Sequence, residues 1–209
     1  MDFLPLFPLS MVAFPGEEVR LHIFEPRYKQ MINDCFARET AFGIAPYFEG
    51  KSLELGTEMM VSQIVKRYPD GKMDIKAVGT GWFTIIEFKK VADGKLYPGG
   101  FINRMPWSDD NDPQLNVTLT GLIRELYSVM NIINVTIPDP ADFRTWDLIH
   151  KIGLSSEQEM ELLQIPQESE KQKYLITHLN HLLPIVRESE KIRKRAELNG
   201  HFQYLDPLL

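Results

Sequence analysis

The pattern of apolar and polar positions divides this chain into a strand-rich first half and a helix-rich second half. Leu4, Leu6, Phe7 and Leu9 form an apolar run broken by Pro5 and Pro8. Proline cannot donate to a ladder, so the run predicts an edge strand or an extended lead-in. Phe14-Pro15-Gly16 supplies a turn, after which Val19, Leu21 and Ile23 alternate with Arg20 and His22 at the period of a half-buried strand. Pro26 suits the first position of a helix, and Glu25 before it places negative charge at the positive end of the helix dipole. Tyr28, Met31, Ile32, Cys35 and Phe36 follow at helical spacing.

Further strands are expected from Ala41 to Phe48, bounded by Gly50-Lys51-Ser52, and from Thr57 to Tyr68. Pro69-Asp70-Gly71 then turns the chain into a return strand with Met73, Ile75 and Ala77 on its buried face. Gly79-Thr80-Gly81 bends it, Trp82 to Phe88 continues it, and Asp93-Gly94 leads to a last strand between Tyr97 and Trp107, weakened by Pro98, Gly99 and Gly100. Short strands with frequent turns predict a barrel or sandwich rather than a parallel sheet. Beyond the acidic stretch from Ser108 to Asp112, helices take over. Leu115, Leu119, Leu122, Ile123, Leu126, Met130 and Ile133 form one stripe, Asp139-Pro140 signals another helix start, and Ser156 with Glu159 fits a capping box. A last helix after Pro166 carries Leu175, Leu179, Leu182, Leu183 and Val186, with a kink expected at Pro184, and ends in a charged segment and an apolar tail. The expected class is α+β: a β-rich subdomain over 1–108 and a helical subdomain over 109–209.

The run Pro8, Leu9, Phe14, Pro15, Gly16, followed by Leu21, Ile23, Phe24, Glu25, Arg27 and Tyr28, resembles the start of the N-terminal, substrate-binding domain of the Lon protease family. Gly56-Thr57, Pro69-Asp70-Gly71, Val78-Gly79 and Phe83 extend the resemblance, and Lys171-Gln172 before an apolar run resembles the helical part more loosely. The resemblance implies a PUA-like β barrel with a helical bundle behind it. It also implies a role in recognising protein substrates. No GxxxxGKS or GxxxxGKT phosphate loop occurs in these residues, and no later domain is expected to supply the Ser-Lys pair with which Lon cuts. The expectation is therefore a stand-alone, non-catalytic member that binds polypeptide segments, as an adaptor or chaperone-like factor, with no cofactor. RNA binding through the barrel and small-molecule binding are the alternatives.

Composition sets limits on these readings. The chain has 209 residues, 44% apolar and 25% charged, which is ordinary for a globular protein. A net charge of -6 argues against a surface built for nucleic acid or anionic membrane. Cys35 is the single cysteine, so no intrachain disulfide framework exists. The interrupted apolar N-terminus resembles neither a signal peptide nor a membrane span, and a cytoplasmic location is expected.

Several residue groups invite chemistry. His178 and His181 could share a metal but lack further ligands at a recognisable spacing, so no metal is expected. Cys35 could act with His22, yet it sits on the apolar stripe of its helix and reads as a small buried hydrophobe. Lys191, Arg193, Lys194 and Arg195 form a basic cluster without interleaved aromatics, which suits a solvated helix end. The polypeptide-binding residues expected from the resemblance and the aromatics are Phe24, Glu25, Arg27, Tyr28, Tyr47 and Phe48, with Glu25 also a helix cap. The expected partners are unfolded or partly folded proteins, or a protease or chaperone, with nucleic acid disfavoured and no membrane.

Overall fold

The computed structural model describes residues 2–48 and 54–201, with side chains through residue 197. The turn expected at Gly50-Lys51-Ser52 and the apolar tail beyond His201 lie outside the described residues. In chain order the elements are β1 (Asp2–Leu9), β2 (Glu18–Ile23), α1 (Pro26–Arg38), β3 (Phe42–Pro46), β4 (Leu55–Arg67), β5 (Met73–Lys89), β6 (Gly99–Met105), α2 (Pro113–Val129), α3 (Ser156–Leu163) and α4 (Glu168–His201), with two 3-10 turns at Thr145–Asp147 and Ile149–Lys151. They fall into two compact units. One comprises Met1–Ser108 and Leu154–Pro166, the other Asp109–Gly153 and Gln167–Leu209.

The first unit is built around β5. Its first half pairs with β2 and its second half with β6, while β4 runs along its other edge. The order β2-β5-β4-β3-β1-β6 therefore closes on itself where β6 returns to β5. All pairs are antiparallel except β1 with β3, which are joined through β2 and α1, the crossover that a parallel pair requires. The turn at Pro69-Asp70-Gly71 joins β4 to β5 as the sequence predicts, with Gly71 at φ 79°. The bend at Gly79-Thr80-Gly81 is a bulge inside β5: Glu58 faces Gly81, its neighbour Met59 faces Gly79, and Thr80 is the extra residue.

The strand that the prolines restrict is not at an edge. β1 lies between β6 and β3, but it changes partner midway: Asp2 to Pro5 pairs with β6 and Leu6 to Leu9 with β3. Each half has its ladder on one side, with the Leu6 amide donating to the Pro98 carbonyl at 3.0 Å between them, so the strand does not require Pro5 or Pro8 to donate to two neighbours. Leu4 and Leu6 join Phe83 and Ile102 in a small cluster, whereas Phe7 joins the main core with Tyr28, Met31, Ile32 and Cys35 of α1 and Ile44, Met59, Met73 and Ile75 of the sheet. The stripe that defines α1 in the sequence is thus the face that covers the sheet.

The turn at Phe14-Pro15-Gly16 is fixed to the midpoint of β5. The Gly16 amide donates to the Gly79 carbonyl at 2.9 Å, and the Gly79 amide donates to the Glu17 carbonyl at 2.9 Å. The Thr57 hydroxyl, fully buried, donates to the Ala13 carbonyl. At Gly79 a Cβ would stand 2.1 Å from the Phe14 carbonyl oxygen, so only glycine allows this approach.

In the second unit α2 packs with α4, burying Leu119, Ile123 and Leu126 from one helix and Leu175, Leu179 and Leu183 from the other. Asp112 caps α2 by accepting the Gln114 amide, with Pro113 at the first position. The helix expected after Asp139-Pro140 is instead the pair of 3-10 turns. Backbone groups there are committed elsewhere: Asn116 Nδ2 donates to the Pro140 and Phe143 carbonyls, and the Thr145 amide donates to the buried Glu168 carboxylate. The capping box before α3 is Ser155 with Gln158, one residue earlier than Ser156 with Glu159. Tandem serines leave that choice to the side chain that reaches back, and Gln158 accepts the Ser155 amide at 2.9 Å.

These packing relations separate two glycines. Gly79→Ala should destabilise the protein by about 2–3 kcal/mol through overpacking against backbone. Gly121→Ala, on the exposed face of α2 with nothing within 4 Å of its Cβ, should instead stabilise by about 0.5–1 kcal/mol. Urea denaturation of both variants checks this, and a Gly79→Ala midpoint equal to wild type would contradict the close approach.

Candidate polypeptide-binding groove

The expected binding residues divide once the chain is folded. Tyr28 is 4% exposed, with its ring tilted against Phe7 at a centroid distance of 3.9 Å. Arg27 lays its guanidinium over the Tyr28 ring at 4.5 Å and is held there by Glu25, whose carboxylate accepts from Arg27 Nε and Nη2 at 2.8 Å. Glu25 therefore stands at the N-cap position of α1 without capping it; its side chain is engaged with Arg27 instead. Burial raises the Tyr28 phenol above its ordinary range, so it presents a neutral hydroxyl.

Tyr47 follows β3, is 50% exposed, and is anchored by its amide to the Leu9 carbonyl at 2.8 Å. Arg27, Tyr28 and Tyr47 line one groove of about 410 Å³ together with Pro8, Phe88, Lys90 and Pro98. Phe24, 57% exposed, and the half-buried Phe48 are not among its lining residues. Sequence reasoning passed over Phe88, Lys90, Pro8 and Pro98, which the barrel brings to Tyr47 from distant positions. One signal was available: Phe88 is an aromatic at the exposed end of a strand whose earlier aromatics, Trp82 and Phe83, are buried. The groove offers rings, proline faces and two cations, an arrangement suited to apolar contact with an extended chain.

The other candidates are accounted for by structure. His22 Nδ1 pairs with Asp74 at 2.6 Å, and the hydrogen bonds from His22 and Tyr68 hold the Asp74 carboxyl below its ordinary range. His178 Nε2 contacts the Ile152 carbonyl at 3.0 Å, and among the described residues no group of His, Cys, Asp and Glu is arranged to hold a metal ion. Lys191 pairs with Glu188, and Arg193 with Glu190 and Glu197, so much of the basic cluster is balanced along its own helix. Among the described residues no helix is long and apolar enough to cross a membrane.

Residues 3–193 match the family model described as ATP-dependent protease La (LON) substrate-binding domain. This chain belongs to that family. A Lon N-terminal domain protein from Xanthomonas campestris is similar in structure at 28% identity and a TM-score of 0.64, over 85% of this chain and 98% of that one. The N-terminal domain of the Mycobacterium avium complex Lon protease has the same fold at 16% identity and a TM-score of 0.59, over 86% of this chain and 98% of that one. A LON peptidase N-terminal domain and RING finger protein of Schizosaccharomyces pombe is 34% identical over 116 residues, 46% of this chain. The chain spans 23% of that curated relative's length. In this Lon substrate-binding domain the motif positions Phe14, Pro15, Gly16, Thr57 and Gly79 meet at one place and serve the architecture, whereas Arg27 and Tyr28 reach the groove.

Cys35 of this Lon domain is buried, and desolvation pushes its thiol up to about 11 from an ordinary 9.0. The native protein should consequently resist a thiol-disulfide exchange reagent at pH 8 and react promptly once unfolded in guanidinium. Prompt native labelling, monitored by absorbance of the released thiolate, would contradict its burial.

Proposed function

We propose that this Lon substrate-binding domain binds apolar segments of partly folded proteins along the groove of Arg27, Tyr28, Tyr47 and Phe88, without catalysing a reaction, in an adaptor or chaperone-like role. The observation that carries the proposal is the groove itself, which Tyr28, Tyr47, Phe88 and two prolines line together on the barrel. Family membership supports a substrate-binding role, and the groove supplies a surface for it. Glu25 contributes by fixing Arg27 over Tyr28, so its part is positioning. Exposed aromatics at the centre of such a surface carry most of its binding energy.

Fluorescence anisotropy with a labelled, permanently unfolded protein such as reduced carboxymethylated α-lactalbumin tests the proposal. Saturable binding is expected, weakened about tenfold by Tyr47→Ala or Phe88→Ala, the equivalent of roughly 1.4 kcal/mol each. Phe24→Ala, outside the groove, should change affinity little. Indifference to the unfolded protein, or equal loss from all three variants, would sink the groove as the binding surface.

A further inference from the structure

A second concavity lies in the same unit, lined in part by the segment from Lys89 to Tyr97. It encloses about 630 Å³, within the range of small-molecule sites. Leu4, Ala92 and Tyr97, all buried, give it an apolar floor. Phe3 and Phe101 stand edge to face at 5.6 Å as its aromatic wall.

The cavity is pre-formed. Asp34 of α1 accepts from Lys95 Nζ at 2.7 Å and from the Tyr97 hydroxyl at 2.9 Å, and Gln30 of the same helix accepts the Leu96 amide at 2.8 Å. These bonds strap the wall segment to α1, so a ligand would meet a surface already ordered.

The charges around it are uneven. Arg38, Lys89, Lys95 and Arg104 line the cavity against one lining carboxylate, Asp93. Lys95 is committed to Asp34, and Arg104 to Asp2 and Glu58. Among the described residues neither Arg38 nor Lys89 forms an ion pair; Lys89 instead holds its ammonium 5.3 Å from the centre of the Phe101 ring. In a chain whose net charge is -6, two cations outside any ion pair beside an aromatic wall, one of them at the end of α1 a turn from Asp34, give this cavity a positive lining that the average surface does not share.

We propose that this cavity binds a small amphipathic anion: a flat apolar body packed against Phe3 and Phe101, with a single carboxylate or sulfonate head held by Arg38 and Lys89. Asp93 disfavours a second negative group, so monoanions fit better than dianions. The site is separate from the polypeptide groove, shares none of its lining residues, and stands whether or not that groove binds protein.

Anilinonaphthalene sulfonate, followed by fluorescence and calorimetry on the intact protein, is a direct probe. It should bind saturably at one site, be displaced by naphthoate, and resist displacement by the uncharged naphthol at matched concentration. Arg38→Gln and Lys89→Gln, both surface changes, should each weaken binding by about threefold to fivefold at low salt, the effect of losing one partly exposed charge pair. Binding should also weaken as salt rises. Arg27→Gln in the groove should leave affinity unchanged. Absence of saturable binding, displacement by naphthol as readily as by naphthoate, or sensitivity to Arg27→Gln without sensitivity to Arg38→Gln and Lys89→Gln would each overturn the proposal.

Discussion

Two hydrogen bonds between Gly79 and the turn at residues 14–17 determine how the first unit is put together. They pin the link between β1 and β2 to the middle of the longest strand, so that β2 takes one half of an edge of β5 and leaves the other half for β6. The same point of attachment reaches β4, because Thr57 donates to the Ala13 carbonyl one residue before the turn. With β2, β4 and β6 all placed on β5, closure through β3 and β1 follows. The missing side chain at Gly79 is what permits it, since backbone oxygen occupies the space a Cβ would need.

Much of this was legible in the chain because hydrophobic period is a local property. α1, the β4–β5 turn and the stripes of α2 and α4 are written in residues a few positions apart. The position of β1 was not legible, since whether Pro5 and Pro8 face a partner depends on β3 and β6, far along the sequence. The groove shows the same division. Arg27, Tyr28 and Tyr47 could be selected from motif and composition, but Phe88, Lys90 and Pro98 join them only through barrel closure. Glu25 and Phe24, close in sequence to Arg27, take other directions: one pairs with Arg27, and the other stands outside the lining.

The second unit depends on polar groups that periodicity could not reveal. Asn116 and Gln172 are fully buried, and the two hydrogens of Gln172 Nε2 are shared among the Asn111 side chain, the Asp112 carbonyl and the Asn116 side chain, all within hydrogen-bonding reach. Asn116 passes the connection on to the Pro140 and Phe143 carbonyls. Lys171 and Glu168 lie beside this network, nearly without exposure, and burial pushes the Glu168 carboxyl up and the Lys171 ammonium down. A helical stripe alone would let α2 and α4 slide by a turn; a buried amide with fixed partners does not. Lys171-Gln172, the loosest part of the sequence resemblance, thus occupies a structurally demanding position.

The end of β5 explains how one short segment can serve two surfaces. Side chains on a strand alternate between faces, so Phe88 and Lys90 line the groove of Tyr28 and Tyr47 while Lys89 lines the second cavity. Just beyond, the wall is strapped to α1 by Asp34 and Gln30, and α1 also carries Arg27 at its start and Arg38 at its end, one for each concavity. The helix reaches both sites because its buried stripe holds it against the sheet, with Arg27 at one end and Arg38 at the other. A ligand seated against Arg38 and Lys89 would therefore press on the strand end whose neighbouring residues, Phe88 and Lys90, line the groove.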